Sequence, residues 1–319
     1  MLYPILAVLA GFAILTWGAD RFVAGAAATA RNLGVSTLVI GLTVVGFGTS
    51  APEVLVSAMA AWSGNTSLAI GNALGSNITN IALVLGTTVL IAPLRVHSNV
   101  LRRELPVLVA ISLFGLVLLL DGRLDFHDGL LLLTALVAVI WWMVALARRA
   151  RQGDPIRGDY AAEIPVMPLG TALGWLAVGL VALLGSSRLL VWGAIEIATA
   201  LGVSDLVIGL TVVAIGTSLP ELAASVASAL KHEHDLAIGN VIGSNMYNLL
   251  AVMGLPGLIH PAAFPAAVLQ RDYPVMLVLT LLLVAVCYGL HGAGRITRPE
   301  GALLLACFGG YQLLLFHTA

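Results

Sequence analysis

The chain has 319 residues, of which 60% are hydrophobic and only 10% are charged, and its formal net charge is −1. That is too little charge to cover the surface of a soluble protein of this length, and there is no excess of basic residues for binding nucleic acid. Apolar blocks of about 20 residues, the length that crosses a bilayer as a helix, recur along the chain. The sequence therefore predicts an all-α membrane protein.

The apolar blocks predict ten transmembrane helices. They begin near residues 3, 34, 68, 103 and 128, and again near residues 169, 202, 236, 271 and 297. The first block lacks the basic start and the small-residue cleavage site of a signal peptide, so we expect it to be a transmembrane helix. Asp20 and Arg21 are expected to cap and orient that helix.

The second group of blocks repeats the first. The segment "LGVSTLVIGLTVV" begins at Leu33 and "LGVSDLVIGLTVV" at Leu201, and the same offset of 168 maps "GNALGSN" onto "GNVIGSN". Self-similarity of this kind marks a chain built from homologous units. We expect a first five-helix repeat over residues 1–147, a cytoplasmic linker over 148–168 and a second five-helix repeat over 169–319.

An odd number of spans in each repeat would insert the second repeat upside down relative to the first. With the linker in the cytoplasm, twelve basic residues lie on that side, and only Arg123, Arg188 and Arg271 lie on the other. This distribution agrees with the positive-inside rule and puts both termini outside the cytoplasm. Inverted repeats with interrupted helices are typical of secondary transporters, whose sites lie near the bilayer midplane.

Two glutamates lie deep in apolar segments, Glu53 in "GTSAPE" and Glu221 in "GTSLPE". An ionised carboxylate at that depth costs roughly 3 kcal/mol or more and normally has a partner. No Lys or Arg occurs at a comparable depth in any span. The simplest missing partner is a mobile cation.

The residues around the glutamates add neutral oxygens. Pro52 and Pro220 lack an N–H group, which frees backbone carbonyls near Gly48 and Gly216. Ca²⁺ takes 6–8 oxygen ligands, and two carboxylates would balance its charge, whereas metals that prefer thiolate or imidazole find no ligands here. The predicted hydroxyl and amide ligands are Thr49, Ser50, Thr217 and Ser218 at the breaks, and Ser76, Asn80, Ser244 and Asn248 one span later.

"GTSAPE…GSNITN" and "GTSLPE…GSNMYN" resemble the two alpha-repeats of sodium/calcium exchangers in the cation/calcium antiporter superfamily, in particular bacterial antiporters without a large cytoplasmic regulatory domain. The resemblance implies ten transmembrane helices and exchange of Na⁺ for Ca²⁺ by alternating access. It also implies that Glu53 and Glu221 bind both ions, with residues 3–24 and 169–192 as a sliding helix pair. Several exchangers of this family have Asp at the position of Asn248.

Other functions fit the sequence less well. A membrane protease using Ser50 or Ser218 would need a nearby base, yet all seven histidines lie at span ends or in loops. A channel would not need inverted repeats. A proton-driven Ca²⁺ antiporter is the alternative within transporters, and "KHEHD" at residues 231–235 is a second, weaker candidate metal site.

We therefore expect a Ca²⁺-exporting antiporter of the bacterial inner membrane and not an enzyme. It should have no cofactor, no nucleic-acid partner and no obligatory protein partner. Its partners would be Ca²⁺, Na⁺ and the lipid bilayer.

Overall fold

The computed structural model describes residues 2–35, 37–96, 103–150, 167–201, 214–288 and 294–318. Most of the expected linker, 151–166, and the expected start of one span, 202–213, lie outside these residues. The described chain is mostly helical.

The described part of the first half contains eight α-helical segments. They are α1 Leu2–Leu33, α2 Thr37–Ile40, α3 Gly46–Thr49, α4 Ala51–Trp62, α5 Thr66–Ile78, α6 Gly86–Ile91, α7 Leu105–Leu119 and α8 Phe126–Ala150. Two π-helical segments, π1 Gly41–Val45 and π2 Thr79–Leu85, connect α2 to α3 and α5 to α6. Two short strands are β1 Leu94–Arg95 and β2 Arg123–Leu124.

The second half has the same plan. Its α-helical segments are α9 Leu169–Ala200, α10 Ala214–Thr217, α11 Leu219–Leu230, α12 His234–Tyr247, α13 Gly254–Ile259, α14 Tyr273–Tyr288 and α15 Arg298–Thr318. The π-helical segments are π3 Asn248–Val252 and π4 Val268–Asp272, and the strands are β3 Ala262–Ala263 and β4 Arg295–Ile296.

Seven helices in the described ranges are long and apolar enough to cross a membrane. The pair Gly41–Thr49 and Ala51–Trp62, which bends by 50° at its break, counts as an eighth if both helices form one span. Two further apolar helices, α7 and α11, are shorter. The protein is thus a polytopic helical membrane protein, and its described apolar helices lie close to the predicted starts, whereas the predicted start near residue 202 lies outside the described residues.

The helices α1 and α9 pack against each other along most of their length. A Cβ atom added to Gly25 would lie 2.5 Å from the backbone nitrogen of Leu176, and one added to Gly179 would lie 2.5 Å from that of Phe22. These glycines therefore let the two backbones touch, because no side chain stands between them.

The prediction that Asp20 and Arg21 cap the first helix was wrong. α1 continues to Leu33, since the small apolar residues after Arg21 extend the helix. Instead, the Arg21 guanidinium lies 4.9 Å from the ring centre of Trp175 on α9, and Asp20 pairs with Lys231.

Contacts between the halves occur in repeat-related pairs. β1 pairs antiparallel with β4 and β3 with β2, so each short sheet has one strand from each half. β1 and β2 lie at opposite ends of α7. Gly86 approaches Gly301 of α15, and the equivalent Gly254 approaches Gly129 of α8. Residues of α5, π2, α12 and π3 form much of the apolar core.

Candidate functional site

Both predicted helix breaks are present and have the same backbone geometry. α3 ends and α4 begins on either side of Ser50, with φ −80° and ψ 4°, and α10 ends and α11 begins on either side of Ser218, with φ −89° and ψ 7°. This sparsely populated backbone region is common at functional sites. Pro52 and Pro220 lie at the start of α4 and α11, where a missing N–H does no harm.

Glu53 and Glu221 lie in the first turns of α4 and α11, and both are buried. Their carboxylates are close enough to repel each other. Each one meets a hydroxyl group of the other half: Ser50 Oγ donates to Glu221 Oε1 at 3.2 Å, and Thr217 lies beside Glu53. In the part of the chain that the structure describes, no basic side chain forms an ion pair with either glutamate.

Thr49 and Ser244 also meet across the two halves. The Thr49 and Ser244 hydroxyl oxygens are 3.4 Å apart, and Ser244 Oγ donates to the Gly46 carbonyl at 3.3 Å. α12, which contains Ser244, therefore packs directly on the break of the first half. Gly243 makes this possible, because a Cβ there would lie 2.5 Å from the Leu42 carbonyl oxygen.

The predicted asparagines lie where the helices widen. Asn248 is the first residue of π3, and Asn80 is the second residue of π2. π2 packs against α11, which contains Glu221, and π3 packs against α4, which contains Glu53. A local π-helix within an α-helix is frequent at functional sites.

Most buried side-chain polar atoms without a hydrogen bond, among the residues described, lie in this region. They include both amide atoms of Asn80 and Asn248, the Ser218 hydroxyl and Glu221 Oε2. Neither oxygen of Glu53 makes a hydrogen bond of good geometry, although Thr217 is adjacent. Buried polar groups are nearly always paired, so such a concentration indicates a place for ions or water.

Of the ten predicted site residues, nine are buried and Thr217 is half-buried. The contacts above join Thr49 to Ser244, Ser50 to Glu221, and Glu53 to Thr217 and Glu221. Ser76 lies on α5, which contacts α10. No hydrogen bond between described residues joins Ser76 to either carboxylate.

Four asparagines of this region are not among the predicted ligands. Asn77 and Asn245 are buried and follow the predicted ligands Ser76 and Ser244 directly in the chain. The amide nitrogen and oxygen of each make no hydrogen bond to described residues. Asn72 and Asn240 hold the breaks: their Nδ2 groups donate to the backbone carbonyls of Glu53 at 3.0 Å and Glu221 at 3.1 Å. They also donate to Ser57 and Ser225 hydroxyls. The signal was present, since "GN" recurs at the repeat offset in both halves.

The break in the second half has a support without a counterpart among the described residues of the first half. Ser187 Oγ on α9 donates to the Gly216 carbonyl at 2.6 Å. That carbonyl is one of the two that the prolines were expected to free for the site, so Ser187 already occupies it. The repeat counterpart of Ser187 is Ala19, which has no donor.

The second candidate metal site receives no structural support. Within the described ranges, no group of three or more His, Cys, Asp or Glu side chains could hold a metal ion. His232 instead occupies a tight turn with φ 61°.

The fold and this region define a polytopic helical membrane protein with a buried acidic centre lined by oxygen atoms. Comparison with known proteins gives its family: the profile described as sodium/calcium exchanger protein matches residues 3–145 and 171–317. The chain therefore belongs to the sodium/calcium exchanger family, whose members are cation/Ca²⁺ antiporters.

Individual relatives agree with this assignment. CaxA of Alkalimonas amylolytica is 50% identical over 319 residues, which cover 100% of both chains. The inner membrane protein YrbG of Escherichia coli (strain K12) is 42% identical, covering 99% of this chain and 98% of YrbG. A solved structure of the sodium-calcium exchanger NCX_Mj, soaked with zero Na⁺ and Ca²⁺, matches with a TM-score of 0.84 at 33% identity, covering 100% of this chain and 99% of that chain.

Proposed function

We propose that this protein exchanges Na⁺ for Ca²⁺ across the bacterial inner membrane by alternating access, and that it exports Ca²⁺ under an inward Na⁺ gradient. One observation carries the proposal. Glu53 and Glu221 are buried close together without a basic partner in the described residues, and they are surrounded by oxygen atoms that lack hydrogen bonds. Such a centre needs cations to balance its charge.

Exchange follows from the shared carboxylates. Ca²⁺ and Na⁺ cannot both be neutralised by the same two groups, so binding of one displaces the other. A site without any cation would leave two buried charges uncompensated, which costs several kcal/mol. The protein should therefore not change its access without bound cations, and transport in one direction requires transport in the other.

The proposed architecture is ten transmembrane helices arranged as two inverted five-helix repeats. Residues 1–147 and 169–319 form the repeats, residues 148–168 form a cytoplasmic linker, and both termini are extracytoplasmic. The inversion is supported by the two short sheets, since β1–β4 and β2–β3 are related by the repeat and lie at opposite ends of α7.

Replacement of either glutamate tests the proposal. We expect Glu53→Gln and Glu221→Gln each to abolish Ca²⁺ uptake into proteoliposomes driven by a Na⁺ gradient, because an amide cannot balance the charge of Ca²⁺. Glu104→Gln is the matched control: Glu104 is also buried, at 5% exposure, but lies outside the site. Normal transport by a folded Glu53→Gln or Glu221→Gln variant would refute the assignment of the site.

The driving ion is tested in the same vesicles. Carboxylates can also be neutralised by protons, so a proton-driven Ca²⁺ antiporter is the alternative function. We expect a Na⁺ gradient at equal pH to drive Ca²⁺ flux, and a pH gradient without Na⁺ not to drive it. The reverse result would establish the alternative.

A further inference from the structure

The pair α1–α9 packs on the two halves unequally. α1 packs along α11, and α9 contacts both α10 and α11. The repeat-related combinations, α9 with α4 and α1 with α3 or α4, show no comparable packing among the residues described. The pair also touches the first half, where α1 contacts α2 and π1 and α9 contacts α3, but its most extensive packing is on the broken helix of the second half.

An ion pair holds one end of this docking. Lys231, which follows α11, has its Nζ 2.7 Å from Asp20 Oδ1 on α1, and it donates to the Asp20 carbonyl at 3.1 Å. The two side chains are partly exposed, at 32% and 49%. A single ion pair at such exposure is weak, but the second bond to the backbone fixes the geometry of this one.

A buried hydrogen bond holds the pair at the break. Ser187 on α9 is 5% exposed, and its bond to the Gly216 carbonyl replaces the one that Pro220 cannot make. Val191, one turn further along α9, covers Gly216 so closely that a Cβ there would lie 2.1 Å from its Cγ2. Without Ser187 the carbonyl would be buried and unpaired, which is costly.

Neither contact can form at the equivalent place in the first half. The offset of 168 gives these counterparts: Arg188 for Asp20, Ser63 for Lys231, Ala19 for Ser187 and Gly48 for Gly216. Arg188 and Ser63 cannot form an ion pair, and Ala19 cannot donate a hydrogen bond.

We propose that Lys231 and Ser187 are positioning residues that bias the exchanger toward the conformation in which α1–α9 is docked on the second half, closed at the cytoplasmic side. This inference rests on the proposed alternating access. In an inverted-repeat transporter, alternating access is a rocking of one repeat against the other about a fixed site. The two repeats exchange roles in the opposite state, so there the main contact of the pair α1–α9 would be with the first half. In that opposite state, neither the Lys231–Asp20 ion pair nor the Ser187–Gly216 hydrogen bond would have an equivalent. The free energy of these two contacts therefore favours the described state.

Thiol labelling measures this bias directly. Ala224 on α11 is fully buried in the apolar cluster that also contains Phe22 and Val23 of α1, so undocking would expose it. The reporter is Ala224→Cys with Cys307→Ala, since the remaining Cys287 is buried. A membrane-impermeant maleimide is applied from the cytoplasmic side of vesicles with equal, saturating Na⁺ on both sides and no Ca²⁺, because only the cation-loaded protein is expected to change its access.

We expect Lys231→Ser and Ser187→Ala each to speed labelling about fivefold, the shift in population that loss of one net hydrogen bond produces. Lys231→Arg keeps the ion pair and should label at the parental rate. Ala19→Ser adds the missing donor to the opposite docking and should also speed labelling.

Parental labelling rates in folded Lys231→Ser and Ser187→Ala variants would overturn the inference. Should either variant fail to fold, Ala19→Ser decides, because it removes no contact: an unchanged rate there overturns the inference as well. The measurement involves no net ion flux, because Na⁺ is equal on both sides. A failure of Na⁺/Ca²⁺ exchange therefore appears in the flux assay and leaves the labelling result standing.

Discussion

At the scale of single residues, His232 has a left-handed backbone conformation, and the residue at the equivalent position of the first half is a glycine. His232 has φ 61°, and Gly64, at the equivalent position, has φ 78°. A residue with a Cβ pays roughly 1–2 kcal/mol for this left-handed conformation. The histidine in "KHEHD" therefore lies in a strained turn.

Replacing His232 with glycine should stabilise the protein. We expect His232→Gly to raise the free energy of unfolding in detergent by about 1 kcal/mol. Gly64→Ala, the converse change, should lower it by a similar amount. Chemical denaturation followed by circular dichroism measures both. A less stable His232→Gly variant would mean that the ring contact with His234, at 6.1 Å between centroids, outweighs the strain.

Asn240 orients a hydroxyl group of the site. The Glu221 carbonyl can only accept, so the Asn240 amide nitrogen must face it, and the amide oxygen must face Thr49. Thr49 Oγ1 donates to that oxygen at 3.1 Å. With its proton directed at Asn240 or at a backbone carbonyl of its own helix, the Thr49 hydroxyl can present lone pairs to a cation.

Loss of this amide should weaken Ca²⁺ binding more than it slows transport. We expect Asn240→Leu to raise the half-saturating Ca²⁺ concentration about tenfold, as loss of a buried hydrogen-bonding partner does. Asn32→Leu is the control, because the bonds of Asn32 to described residues go to the carbonyls of Ala28 and Met167. An unchanged half-saturating concentration, with only the maximal rate lowered, would show that Asn240 is merely structural.

At the scale of helices, glycines divide into those that bring backbones together and those that do not. On α9, a Cβ at Gly179 would lie within 2.7 Å of three Phe22 atoms, two of them backbone, whereas one at Gly174 meets no described atom within 4 Å. Both glycines lie on the same long apolar helix. Their substitution therefore separates packing from helix propensity.

Gly179→Ala should destabilise the protein by about 1–3 kcal/mol, because overpacking forces the backbones apart. Gly174→Ala should be neutral or stabilising by up to about 1 kcal/mol, since alanine favours a helix. Thermal unfolding of the purified variants measures both. Equal effects of the two substitutions would contradict the packing of α1 on α9.

The helix breaks were predictable from sequence and their supports were not. Pro52 and Pro220 at one repeat offset identify broken helices, because proline removes the same bond in each half. In "GNVIG", Gly243 lets α12 pack closely on Leu42, and Asn240 supports the backbone that follows the break, as Asn72 of "GNALG" does in the first half. Their carbonyl partners lie 19 residues away in sequence, beyond any local pattern.

At the scale of the whole molecule, a nearly symmetric sequence has an asymmetric structure. The repeat predicts equivalent contacts in both halves, and Gly86–Gly301 and Gly254–Gly129 fulfil that expectation. The docking of α1–α9 does not, since it depends on Lys231 and Ser187, for which the first half has no equivalent. Sequence repeats therefore predict the scaffold, while single substitutions between the repeats decide which state is favoured.

If α1 and α9 move as one body, a covalent cross-link between these two helices should leave Ca²⁺ transport intact. A cross-link between the pair and another helix should block transport. Trp17 and Trp175 lie within the pair, with ring centroids 6.3 Å apart. Asp20 and Lys231 connect the pair to α11. Cysteines at either couple of positions, with both native cysteines replaced, can be joined by a short reducible thiol reagent.

We expect the Asp20→Cys/Lys231→Cys link to abolish Ca²⁺ flux, because alternating access requires one bundle to rock against the other. The Trp17→Cys/Trp175→Cys link should leave most of the flux, and reduction should restore the first variant. Flux in vesicles before and after reduction measures this. Transport that survives the Asp20–Lys231 link would mean that the ions cross without movement of the pair, and a loss of flux with the Trp17–Trp175 link would mean that α1 and α9 slide against each other.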